Sequence, residues 1–76
     1  MTLEDLRLEA RLSVAALSRK AGVDMKTVKR AIDGEPVTKV KVLDILDALS
    51  KELGRPLKLD DVEGIHYSYS SKPKPK

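Results

Sequence analysis

Three basic side chains, Lys26, Lys29 and Arg30, recur three and four residues apart in "MKTVKRAID", the spacing that gathers side chains on one face of a helix. A cationic face attracts anions, and an arginine adds a planar fork of donors that matches phosphate oxygens or the edge of guanine. No other group of side chains in the chain supports a reaction. The carboxylate pairs Asp44–Asp47 and Asp60–Asp61 read as solvated charges on a helix surface or cap, with nothing beside them to build a pocket or shift a pKa. His66 is the only histidine and cysteine is absent, which excludes disulfides and thiolate sites and leaves zinc needing an unusual carboxylate set. The expectation is a protein that is not an enzyme and holds no cofactor or metal.

Charge is distributed unevenly along the 76 residues. Residues 19–41 carry seven basic groups (Arg19, Lys20, Lys26, Lys29, Arg30, Lys39 and Lys41) against Asp24, Asp33 and Glu35, and residues 72–76 add three lysines. The remainder is net acidic, so the overall +3 comes from one central segment and one tail. This asymmetry suggests a polyanionic partner for the centre; a solvated helix face is the plainer alternative. A chain this short forms one small domain without room for a large catalytic cavity. No apolar run approaches the roughly 20 residues that span a bilayer. The N-terminus "MTLEDLRLEA" is acidic and amphipathic where a signal peptide would be basic and then apolar. The chain therefore reads as soluble and unprocessed, with no membrane partner, and its lack of cysteine fits a cytoplasmic location.

Helical signals must position the basic face. Thr2 and Asp5 form a capping-box pattern ahead of Leu3, Leu6 and Ala10, predicting a helix over 3–11. Ser13 caps a second helix, with Val14, Leu17 and Ala21 at helical spacing before Gly22 stops it. Asp24 caps a third, over 25–33, with Val28, Ala31 and Ile32 inward and Met25, Lys26, Lys29, Arg30 and Asp33 outward. Thr38 opens a longer one, in which Val42, Leu43, Ile45, Leu46, Leu49 and Leu53 make a wide apolar stripe that ends at Gly54 and Pro56. Leu57 and Leu59 then suggest a short extended piece, followed by a turn of helix capped by Asp60. The end, "HYSYSSKPKPK", holds too little apolar surface to offset its ordering entropy, so residues 1–65 are expected to form the domain and 66–76 a flexible basic tail.

Two short helices joined through a glycine form a helix-turn-helix, because glycine adopts the left-handed backbone that lets the second helix leave at a steep angle. The second helix of such a pair can enter the major groove. The run "LSVAALSRKAGVDMKTVKRAIDG", followed by an amphipathic helix, resembles the helix-turn-helix of the phage-repressor and Cro-like (XRE) regulators. Leu12, Ser13, Leu17, Ala21, Gly22, Val23, Thr27, Val28, Arg30 and Gly34 fit that family's pattern, and the resemblance extends over about residues 2–63. "TVKRAIDG" also looks like the lactose-repressor family, whose chains usually begin at the motif helix and carry a sugar-binding domain. Three positions depart from the pattern: Val14 stands where many phage-type repressors have glutamine, Ser18 where alanine is usual, and Asp24 where serine is usual.

The resemblance implies an all-α, five-helix repressor-like bundle that binds double-stranded DNA in a sequence-specific way and regulates transcription, in association with the nucleoid. It matches Met25, Lys26, Lys29 and Arg30 to base-reading positions; for Met25 a partly exposed core filler is the alternative. Ser13 and Thr27, with hydroxyls near helix N-termini, and Lys39 and Lys41, at the start of the fourth helix, are candidates for phosphate contacts. One short recognition helix covers only a few base pairs, which predicts a homodimer joined through the tail or residues 57–65. The competing reading is a protein-interaction module of the same fold, an antitoxin or adaptor, contacting its partner through helix 39–53 or the acidic segment 44–63.

Overall fold

The computed structural model describes residues 1–67. Four α-helices dominate it: α1 (Leu3–Ala10), α2 (Val14–Ala21), α3 (Met25–Ile32) and α4 (Lys39–Leu53). The first forms where the capping box was expected, with the Thr2 hydroxyl accepting from the Asp5 N–H (3.1 Å) and the Asp5 carboxylate accepting from the Thr2 N–H (3.0 Å). It stops when Arg11 turns left-handed (φ 59°) and the Arg7 guanidinium reaches over to the Leu12 carbonyl (2.8 Å). Ser13 caps α2 by accepting from the Ala16 N–H (3.0 Å). Gly22, at φ 70°, ends it.

The core is wholly apolar. Leu6, Leu17, Val28, Val42, Ile45, Leu46 and Leu49 are sealed from solvent, and no polar or charged residue among those described is buried. The most extensive helix contact is α2 on α4, with α1 and α3 also packed against α4. Burying one such leucine or isoleucine contributes roughly 1.5–3 kcal/mol, so this cluster is the main source of stability. Leu43, expected in the apolar stripe, is instead exposed. The buried arc of α4 is filled by Val42, Ile45, Leu46, Ala48 and Leu49, and Leu43 lies about a sixth of a turn beyond its edge at Leu46, toward solvent.

Two further expectations are corrected. There is no fifth α-helix among the described residues: Leu59–Asp61 forms a single 3-10 turn. Asp61, not Asp60, caps it, its carboxylate accepting from the Lys58 N–H (2.9 Å), and the Glu63 N–H turns away to the Met1 carbonyl (2.9 Å), so no helical ladder can extend. Nor is the fold purely helical or finished at residue 65. Pro36–Val37 (β1) and His66–Tyr67 (β2) pair as a two-stranded parallel ribbon, Pro36 opposite His66 and Val37 opposite Tyr67. Val37 is buried and the half-buried Tyr67 packs on the core, so the apolar area of these two side chains holds β2 to the domain. The rest of the expected flexible tail, 68–76, lies outside the described residues. Among those described, no helix is long and apolar enough to cross a membrane.

Candidate functional site

Helix α3 presents two unlike faces. Val28 and Ala31 are buried and Ile32 partly so, while Met25, Lys26, Lys29 and Arg30 are exposed. Its departure from α2 is set by residues 22–24. The Gly22 N–H (2.9 Å) and the Val23 N–H (3.1 Å) both donate to the Ser18 carbonyl, and the Ser18 hydroxyl donates back to the Val23 carbonyl. Val23 is buried, which pins the turn to the core. A Cβ at Gly22 would meet no atom within 4 Å, so what requires glycine there is its positive φ, not the available space.

Lys26, Lys29 and Arg30 line one shallow depression of about 300 Å³ together with Asp33 and Glu35. The three bases therefore do gather in one place, with Asp33, which the helical period set on the same outward face, and with Glu35, which it did not bring into the site. Arg30 Nε lies 3.8 Å from Glu35 Oε1. Lys26 and Lys29 make no ion pair with any described residue, so their ammonium groups remain open to an external anion. Met25 stands at the first position of α3, 52% exposed, which is a surface residue and not a core filler.

The four candidates for phosphate contact fare differently. Ser13 is exposed, and its oxygen accepts the α2 capping bond while its own proton has no acceptor among the described residues. Thr27 is half-buried and its hydroxyl donates to the Asp24 carboxylate, so a phosphate could take that proton only by breaking this bond. Asp24 makes no side-chain capping hydrogen bond to the α3 backbone. The Thr27 hydroxyl is the main reason its carboxyl is held below the usual range, and the nearby Lys41 ammonium adds to the effect. Lys39 is exposed and unpaired among the described residues.

Thr38 makes no side-chain cap to α4 either. The first-turn N–H groups of both α3 and α4 are therefore left for water or an outside acceptor. Among the described residues no three His, Asp or Glu side chains converge to hold a metal ion. Sequence reasoning missed Glu35 as a site residue and Ser18 as the clamp of the turn. Gly34, two residues after α3, was the available signal for the first: a glycine there folds the next residue back over the last turn of the helix. No family model, no curated protein and no solved structure matches this chain.

Proposed function

We propose that this chain is a double-stranded DNA-binding domain in which α2, the turn at Gly22 and α3 act as a helix-turn-helix of the phage-repressor, Cro-like type. The observation that carries this reading is the open basic face of α3, with Lys26 and Lys29 unpaired among the described residues, beside Arg30 on the second helix of a glycine-jointed pair. In the major groove, Arg30 or Lys26 would meet guanine O6 and N7, and the exposed Met25 a thymine methyl. Ser13, Lys39 and Lys41 would fix the register on phosphates. Thr27 is better placed to hold Asp24 than to touch DNA. The role that follows is transcriptional regulation at the nucleoid, by two copies of the domain on half-sites about 34 Å apart.

A protein-interaction module is the second reading, favoured by Val40 and Leu43, which are 66% and 46% exposed on α4. These are two neighbouring side chains, and exposed apolar residues in such small number are ordinary on a monomer's surface. Selection from random duplexes at two salt concentrations tests the choice. The DNA reading expects a consensus with paired or palindromic halves, bound by two proteins per duplex. Binding with no consensus and a steep salt dependence would reduce it to non-specific attraction, and no binding at either salt would leave the interaction module.

A further inference from the structure

The residue after Gly34 is held in place from both sides. At the end of α3 the Glu35 N–H donates to the Arg30 carbonyl (2.9 Å) and the Gly34 N–H to the Ala31 carbonyl (3.3 Å), with Gly34 at φ 82°. These two bonds make a Schellman motif, a reversal that stacks the residue after the glycine over the one five positions earlier. An apolar contact usually fills that space. Here it is an ion pair, Glu35 on Arg30. On the other side Pro36 and Val37 are paired with His66 and Tyr67, so the chain leaving Glu35 is anchored to the core through β1 and β2.

The contact is electrostatic and not a hydrogen bond: Nε, the inner nitrogen of the guanidinium, is the one near the carboxylate, at 3.8 Å. The two terminal nitrogens make no bond to a described residue and stay open as the fork that a bidentate guanine contact requires. We propose that Glu35 is a positioning residue, holding Arg30 by Nε with its terminal nitrogens presented outward, and that the β1–β2 ribbon thereby belongs to the reading head and does not merely close the core. The inference rests on the DNA reading above and assigns to one carboxylate the base selectivity of one arginine. Glu35 acts through Arg30, and its own charge, set beside the phosphates, opposes binding to every sequence alike.

Glu35→Gln separates the two effects, since it keeps the backbone bond to Arg30 and removes only the charge. Both side chains are about half exposed, 54% and 56%, so the pair is weak. Its loss is expected to lower the preference at the arginine-read base pair by about two- to fivefold, the worth of an exposed ion pair. Affinity for a scrambled duplex should rise at the same time. In an Arg30→Ala background, where the preference at that position is already relaxed, Glu35→Gln should leave the ratio of specific to scrambled binding unchanged. The measurement is that ratio for wild type, both single variants and the double variant, with a melting curve for each to show intact folding. If Arg30→Ala relaxes the preference and Glu35→Gln does not, the positioning role falls and the DNA reading stands. An equal drop from Glu35→Gln in both backgrounds would mean that Glu35 contacts a base itself, which also overturns it. Absence of salt-dependent duplex binding by the wild type removes both.

Discussion

Ser18 and Val23 are bonded to each other in both directions: the Val23 N–H donates to the Ser18 carbonyl at 3.1 Å, and the Ser18 hydroxyl donates to the Val23 carbonyl. The closed ring spans Gly22 and fixes where α3 begins. Ser18→Ala keeps the backbone half and leaves the Val23 carbonyl without its side-chain partner. Unfolding in urea should show a loss of about 1 kcal/mol, the net worth of one such bond. Equal midpoints for the two proteins would show that the hydroxyl does not hold the turn.

Gly22 gives a sharper test of the same joint. Because a Cβ there meets nothing within 4 Å, the cost of adding one comes from the left-handed backbone and not from a clash. Gly22→Val should destabilise by roughly 1–2 kcal/mol, and Gly22→Asn by less, since asparagine tolerates that conformation. A valine variant as stable as the wild type would mean that the turn relaxes to another backbone at little cost.

What was legible in the sequence was local. Thr2 with Asp5, Ser13 and the glycines at 22 and 54 set the helix ends within a residue or so, because a cap or a left-handed stop depends on neighbours three or four positions away. The basic face of α3 was legible for the same reason. The β1–β2 ribbon was not, because Val37 and Tyr67 meet across thirty residues of chain and neither two-residue strand carries a pattern of its own. Asp24 illustrates a choice between two local partners: it has the right residue type and backbone for a cap, yet its carboxylate takes the Thr27 hydroxyl. Glu35 enters the site through a turn, and helical periodicity has nothing to say about turns.

Acid should loosen the fold through carboxylates whose pKa lies below the ordinary value. Asp5 is lowered by the Thr2 backbone N–H, Glu9 by the Arg55 guanidinium, Glu4 by Arg7 and Asp24 by the Thr27 hydroxyl. A group whose folded-state pKa is depressed binds its proton more readily in the unfolded chain. Its stabilisation is complete above the unfolded value, roughly pH 4, and is lost as pH falls through the lower folded value. The melting temperature should therefore hold between neutrality and about pH 5, then drop. Asp5→Asn combined with Glu9→Gln should flatten the drop, and an unchanged acid slope in that variant would remove these two pairs as its cause.

The last prediction separates base readout from simple attraction, which the α3 face and the C-terminal lysines would supply in different ways. Lys26 and Lys29 project from a helix of fixed orientation, so each can meet one base or one phosphate. Lys26→Ala or Lys29→Ala should cost about 1–3 kcal/mol of discrimination at one position if the side chain reads a guanine, and should weaken all sequences equally if it touches phosphate. Lys72, Lys74 and Lys76 add three positive charges in a stretch of five residues, and a charge density of that kind draws in the phosphates of any duplex through counterion release. Deleting residues 70–76 should lower affinity for specific and scrambled duplexes together. It should also flatten the slope of log K against log salt by up to about 0.9 for each phosphate that is no longer neutralised, leaving the preferred site unchanged. Paired salt titrations on the two duplexes, run for each variant, read both quantities. If the deletion abolished discrimination while the lysine substitutions and Arg30→Ala left it intact, α3 would not be the reading helix, and the glycine-jointed pair would be a feature of the fold alone.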